Sequence, residues 1–382
     1  MKIRDGYQKI TLAGATYLMP YGQNAADRAH SLKLNTTSEF LWDALVSGVD
    51  EEQLVSIAAK EFEATEEDLP ILREDIRHFV SALAANGILQ LSDHPQPHSG
   101  YEPSYYQIGP MTFAYYGPIE LYDRYFKKFA CGPTSHADQS IFLKIGMPRY
   151  KESGTILLRT NELQLCDAGF LYRFLFQRSW GIYEMTLTKD GSCATAYCTP
   201  DAFDDEHIEQ VFHALRFAFL LLAQKYQLYA LHSASFLYQE KAWLFSGPSG
   251  TGKSTHTNLW HELYDVPLFN GDLNVIGIRD NIPMVYGLPW CGTSGINTTG
   301  EYPLGGIVFL KQAPENHVII PDEPEKAFML MQRLISPIWD AEQLEEQAAF
   351  CEAMAAIAPI LSLHCTKENE AAETMKRAID QL

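Results

Sequence analysis

The stretch LFSGPSGTGKSTHTNLW, residues 244–260, decides how this chain is read. Gly247, Gly252, Lys253 and Ser254 satisfy the spacing G-x-x-x-x-G-K-[ST]; AWLFS before it reads as a strand and STHTNLW after it opens a helix. Glycines at such a junction let backbone N–H groups close around phosphate oxygens, and the helix N-terminus adds its dipole. The lysine reaches the outer phosphates and the serine hydroxyl can ligate magnesium. Residues Gly247, Pro248, Ser249, Gly250, Thr251, Gly252, Lys253, Ser254 and Thr255 are therefore expected to bind a nucleotide, with ATP and Mg²⁺ as cofactors. The alternative is a glycine-rich turn that binds nothing.

Immediately upstream, YALHSASFL (229–237) and AWLFSG (242–247) are two apolar runs joined by YQEK, a hairpin that runs directly into the glycine-rich loop. Pairing about a turn near 239–240 makes partner numbers sum to roughly 479, which sets His232 opposite Gly247. The imidazole is then expected at the phosphate site, or else it is a satisfied core histidine. Downstream, VPLFNGDLNVIGI places Asp272 between apolar runs, where a carboxylate suits a magnesium ligand and a base for an acceptor hydroxyl; a simple NGD turn is the competing reading. Ser254 and Asp272 are the expected metal ligands, and Asp272, His232 and Lys253 the expected catalytic groups. YGLPWCGTSGINTTG (286–300) reads as a polar loop whose Trp290 serves as a substrate rim, stacks on adenine, or lies on a plain surface loop. Cations are sparse after Ser254, so no arginine finger is evident, and Lys311 is the nearest source of extra positive charge.

These features resemble the HPr kinase/phosphorylase family and, more distantly, phosphoenolpyruvate carboxykinase, over about residues 228–320. The resemblance rests on LHSAS, GPSGTGKST, NGDLN and PLGGIVFL (303–310). It implies metal and phosphate chemistry at His232, nucleotide and magnesium binding at Lys253 and Ser254, and metal ligation with base action at Asp272. One departure stands out. Where that family usually has two adjacent acids, this chain has Gly271-Asp272, so one carboxylate must serve both roles, or the base comes from elsewhere, or transfer is weak.

Residues 1–92 read as an α+β unit of a winged-helix-like kind. Strands YQKITLA and ATYLMPY lead to a helix with Thr36 and Glu39 as a capping box and Gly48 at its end. A second helix starts at Asp50–Gln53, and a third carries Leu69, Leu72, Ile76, Phe79 and Leu83, stops near Gly87 and is followed by the strand ILQL. The block holds 14 acidic against 8 basic residues, which argues against DNA. Through YLMP, LNTTSEFLWDAL, GVDEEQLVSIAAKEF and DIRHFVSALAANGILQ it resembles the PqqD-like leader-recognition domain. That resemblance implies a peptide or leader peptide added as a strand to an exposed sheet edge; a packing or dimerisation module is the alternative.

Residues 93–104 read as a linker, and 105–205 as a β-rich middle region whose Asp190-Gly191 marks a hairpin. Residues 206–382, opening with an apolar helix from Glu206 to Gln227, read as the HPr-kinase-like nucleotide domain with a mixed sheet. Helices near 323–337 and 340–357 and a last one from Thr366 are expected to complete it. The fold class expected is thus a multidomain α+β and α/β chain.

The net charge of −19 argues against nucleic-acid partners. Seven scattered cysteines without a C-x-x-C pair indicate neither a disulfide framework nor a zinc site. The N-terminus lacks a signal-peptide core, and the longest apolar run, FAFLLLA, is far short of the roughly 20 residues of a membrane span, so a cytoplasmic protein with no membrane partner is expected. The expected function is an ATP-dependent kinase acting on a peptide hydroxyl, an arrangement similar to the tailoring kinases of lasso-peptide pathways. A nucleotide-gated peptide chaperone and a kinase for a small hydroxy compound are the alternatives, and homo-oligomerisation is left open.

Overall fold

A turn decides the first element pair: Ala13 and Gly14 both take positive φ (47° and 81°), the two-residue geometry that matches strand twist, and Leu12 pairs with Ala15 across it. The computed structural model describes residues 2–3, 6–26, 31–66, 68–85, 88–90, 100–148, 154–169 and 171–382. Most of the expected linker, and Gly87 at the expected helix end, lie outside them. Two units can be distinguished: 1–97 with 147–156 and 166–170, and 98–146 with 157–165 and 171–382.

In the first unit β1 (Lys2–Ile3) pairs with β5 (Leu89–Gln90), while β2 (Tyr7–Leu12), β3 (Ala15–Pro20) and β4 (Leu32–Leu34) form an antiparallel sheet with β3 central. After the short α1 (Gln23–Ala26) come α2 (Thr36–Val46), α3 (Glu51–Glu61) and α4 (Leu69–Ala85). The cap of α2 departs from expectation. Asn35, not Thr36, is the N-cap, its side chain accepting from Ser38 N at 2.8 Å, because Asn35 is the residue still in extended backbone. Asp50 and Gln53 form a capping box at the expected start of α3. Leu18, Leu41, Leu45, Leu54, Ile76 and Leu83 meet in one core, so the α4 stripe points where its periodicity required.

Eight strands build the largest sheet: β6 (Ser104–Ile108), β7 (Met111–Tyr116), β8 (Gln139–Ile145), β9 (Thr155–Arg159), β10 (Leu163–Asp167), β11 (Leu171–Phe176), β12 (Ile182–Thr188) and β13 (Cys193–Cys198), in the order β6-β7-β8-β13-β12-β11-β10-β9. Between β7 and β8 a short α5 (Ile119–Leu121) runs into a π-helical turn, Tyr122–Phe126. The expected Asp190-Gly191 turn joins β12 and β13, with the Asp190 carboxylate accepting from Ser192 N at 3.0 Å. The long apolar helix α6 (Ile208–Lys225) packs into the same core through Leu215, Phe219 and their neighbours.

The remaining elements are β14 (Tyr229–Tyr238), β15 (Lys241–Ser246), α7 (Lys253–Tyr264), β16 (Leu273–Arg279), β17 (Ile282–Tyr286), β18 (Glu301–Gln312), β19 (His317–Ile319), α8 (Glu323–Met331), α9 (Ala341–Ile357), β20 (Ile360–Cys365) and α10 (Asn369–Ile379). They form a mixed seven-stranded sheet, β15-β14-β16-β17-β18-β20-β19, in which β18 also pairs with β15. That extra pairing closes five strands on themselves and removes their edges. Adjacent residues of β15 face opposite layers: Leu244 joins Leu330, Phe350 and Met354, whereas Phe245 joins Trp260, Ala371 and Met375. The helix expected over 323–337 ends at Met331, because Leu334 bridges to Leu231 of β14 and Ile335 N donates to Ala230 O. Strand pairing there outcompetes helix continuation.

Candidate functional site

The site begins at a parting of strands. β14 pairs with β16 up to His232↔Leu273 and with β15 from Ser233↔Ser246 onward. Pair numbers on the β15 side sum as the hairpin reading required, because Gln239 and Glu240 both adopt positive φ in a two-residue turn. His232 therefore stands where β15 ends, one residue before Gly247, and where β16 begins, one residue after Asp272. Its Nε2–H donates to Asp272 Oδ1 at 3.1 Å. Side-chain exposures of 34% and 41% leave both groups open to a ligand.

A buried polar network fixes this junction. Ser235 Oγ donates to Asn274 Oδ1 at 2.7 Å, Asn274 Nδ2 donates to Ser233 O at 2.7 Å, and Asn270 N donates to Ser235 Oγ at 3.0 Å. Ser233 N also holds Asp272 O at 3.0 Å. With Ser233, Ser235, Asn270 and Asn274 all essentially inaccessible, their satisfied hydrogen bonds set the backbone that aims Asp272.

From Ser246 the chain enters the glycine loop. Gly247 has φ 154° and Gly252 φ 104°, left-side conformations that favour glycine, and a Cβ at Gly247 would meet Thr251 Oγ1 at 2.8 Å. Thr251 Oγ1 ties the loop across itself to Pro248 O at 2.7 Å. Lys253, first residue of α7, folds back over the loop and donates to Gly247 O at 3.3 Å. Ser254 and Thr255 follow in the first turn and are exposed. The loop borders two clefts: one of about 390 Å³, lined by 247–251 with Lys311, Gln312 and Arg333, and one of about 500 Å³, lined by 250–252 with Thr255, His256 and 365–368.

Charges link these pieces. The hydrogen bond from His232 holds the Asp272 carboxyl below the ordinary aspartate range; burial opposes it, and the charges of His232, Lys253 and Arg216 add to it. Burial pushes the Lys253 ammonium below the ordinary lysine value, with Asp272 resisting and Arg333 reinforcing the shift. Asp272 and Lys253 therefore share one electrostatic environment with His232. Gly292 (φ 58°) abuts the same carboxylate, since a Cβ there would stand 2.9 Å from Asp272 Cγ.

Three outcomes differ from the sequence reading. Trp290 is neither rim nor adenine platform: it is 1% exposed, stacked on Phe212 at 5.2 Å, with its Nε1–H donating to Phe212 O at 3.0 Å. Nothing in a glycine- and threonine-rich loop sequence announces that its aromatic residue points inward. Arg216 was missed because it lies outside the nucleotide motif, although an arginine inside HALRFAFLLLA is itself a signal. Arg333 enters the site because β14 N–H of His232 donates to its carbonyl at 3.1 Å.

Residues 25–89 match the PqqD family, Coenzyme PQQ synthesis protein D. That stretch falls within the block in which the sequence resemblance was seen. No curated protein sequence matches the chain. Among solved structures, the HPr(Ser) kinase/phosphatase from Coxiella burnetii is similar over 40% of this chain and 97% of that one, at 9% identity and a TM-score of 0.24. Among the described residues no helix is long and apolar enough to cross a membrane.

Proposed function

We propose that the chain is an ATP- and magnesium-dependent kinase that phosphorylates a hydroxyl on a peptide, with residues 1–92 recruiting the peptide and 206–382 carrying the transfer. The observation that supports it is the meeting of Asp272, His232 and Lys253 beside the 247–252 loop. The PqqD match at 25–89 supports peptide recruitment, the sheet edges being β2 and β4.

The residues fit the two groups the reading needs. Loop N–H groups and the first turn of α7 would hold phosphate oxygens, with Lys253 balancing their charge. Ser254 Oγ and Asp272 offer oxygen ligands suited to magnesium, a hard cation. Among the described residues no cluster of three His, Cys, Asp or Glu could hold a metal alone, so phosphate oxygens and water would complete the shell. Magnesium held there would neutralise phosphate charge. Asp272, held ionised by His232, takes the proton of the acceptor hydroxyl. The acceptor O–P bond forms as the bridging P–O bond breaks, and that electron pair leaves with the nucleoside diphosphate.

Incubation with ATP, magnesium and the peptides encoded beside its gene, followed by mass spectrometry, tests the reading. A phosphate gain on one peptide is expected, and no gain on any overturns it. A nucleotide-gated peptide-binding protein is the second reading, favoured by Gly271: a Cβ there would stand 2.0 Å from Ser294 Oγ, so the junction is built for one carboxylate. Calorimetry showing ATP binding without turnover, with altered peptide affinity, selects it.

A further inference from the structure

Trp290, buried against Phe212, presents no face on which a nucleotide base could stack. Sheet register supplies another seat. β15, β18 and β20 run parallel, and Ser246, Phe309 and Ser362 stand at one level where β15 gives way to the glycine loop. β18 and β20 continue to the pair Gln312↔Cys365, roughly 10 Å past that level at about 3.3 Å per residue. The two strand ends make a wall beside the loop, and Gln312 Nε2 ties them together by donating to Gly250 O at 3.2 Å. Between this wall and the first turn of α7 opens the cleft of about 500 Å³, with Gly250, Thr255 and His256 on one side and Ala313, Cys365 and Thr366 on the other. The carboxyl ends of parallel strands are where sheets of this kind bind their ligands.

The two clefts beside the loop differ in charge and in direction. The one of about 390 Å³ carries Lys311 and Arg333, and the Arg333 carbonyl accepts from His232 N at 3.1 Å, so it opens on the side of His232 and Asp272. The cleft of about 500 Å³ holds none of those residues. Its floor is the pair His256 Nε2 and Cys365 Sγ, 3.2 Å apart, with each residue 2% exposed. Burial pushes the thiol up to about 11 and lowers the imidazole, so both are uncharged at neutral pH. Lys367 and Glu368 at its edge are exposed and opposite in sign. A lining without net charge suits a neutral ring system better than a phosphate.

We infer that the cleft of about 500 Å³ seats the nucleoside, base and ribose together, of the nucleotide whose phosphates lie on the glycine loop. This rests on the nucleotide binding in the kinase reading. Lys253, which reaches the outer phosphates, lies against Gly247 O and Pro248 O, whereas Thr255 lines the cleft. The phosphate chain therefore runs from Thr255 across the loop to Lys253, with its outer end turned toward Asp272.

Photolabelling of the wild-type protein with 8-azido-ADP, mapped by mass spectrometry of its peptides, reads the seat directly. Cross-links within 312–313 or 365–368 are expected, and a map without them overturns the inference. Calorimetry with ADP and with pyrophosphate is the second readout. The wild type should bind ADP about 10–10²-fold more tightly than pyrophosphate. Ala313→Trp and Thr366→Trp, which fill the cleft, should bring the two affinities together while changing that for pyrophosphate less than about threefold. Gln332→Trp, in the other cleft, should leave the preference for ADP as it is. An undiminished preference in folded Ala313→Trp and Thr366→Trp overturns the nucleoside seat and leaves the kinase reading intact. ADP binding without phosphorylation of any peptide overturns the kinase reading alone, and the same two readouts still decide the seat. A wild type that binds neither probe overturns both. If thermal unfolding shows that both cleft-filling variants fail to fold, the photolabelling map decides.

Discussion

On the proposed kinase reading Asp272 is the residue on which the chemistry turns, and its surroundings explain why it stands alone. Position 271 is closed by Ser294, whose Oγ and Cβ would lie 2.0 and 2.5 Å from an added Cβ. Gly271→Asp should therefore destabilise the fold by about 1–3 kcal/mol, and pairing it with Ser294→Gly should recover most of that loss in urea denaturation. Asp272→Asn keeps the shape but removes the charge and the proton acceptor. It should leave ATP affinity largely intact and lower kcat about 10²–10⁴-fold. Wild-type turnover in that variant would remove Asp272 from the mechanism.

The same residue sets a pH dependence whose sign follows from its shift. Its folded-state pKa lies below the unfolded one, so its ionised form stabilises the fold above the ordinary aspartate range. That contribution disappears as pH falls through the lowered value. The acid limb of kcat/KM should accordingly lie below that of an ordinary aspartate, and His232→Ala, which removes the main cause, should move it upward. At the other end, Lys253 is depressed from 10.5 by burial. ATP affinity should fall at a lower pH than an ordinary lysine would allow, and Lys253→Arg should shift that fall upward in a titration series.

At the scale of elements, the site is made by where strands part. β14 serves β16 with its first four residues and β15 with its last six, so a crevice opens at His232 between two strand ends. The hairpin register was legible in the sequence, since a two-residue turn and period-two pairing fix partner numbers. The pairing of β14 with β16 was not, because residues about forty apart carry no local signal of contact. The α6–Trp290 contact belongs to the same class. Trp290 buries a full indole against Phe212, Phe219 and Phe126. Trp290→Ala should cost about 3–5 kcal/mol in a denaturation measurement, and on the kinase reading should lower kcat as well, because Gly292, two residues on, abuts Asp272.

For the whole molecule, a PqqD-matching segment shares a chain with the glycine-loop junction. On the proposed reading, linking recruitment to transfer would raise the effective concentration of acceptor at the site. A peptide carrying its leader should show kcat/KM about 10²–10⁴-fold above the same peptide without it, mainly through KM. Equal values in steady-state kinetics would reduce residues 1–92 to a structural role.

The sequence by itself determined the glycine loop, the helix it opens, the hairpin register that brings His232 to Gly247, and the helical stripes of the first unit. Each depends on residues close in sequence, where steric preference and periodicity act directly. Only the tertiary structure decided that Asp272 meets His232, that Trp290 turns inward, and that Asn35 takes the cap from Thr36. Those outcomes depend on packing between distant segments, where burial and strand pairing outweigh local preference.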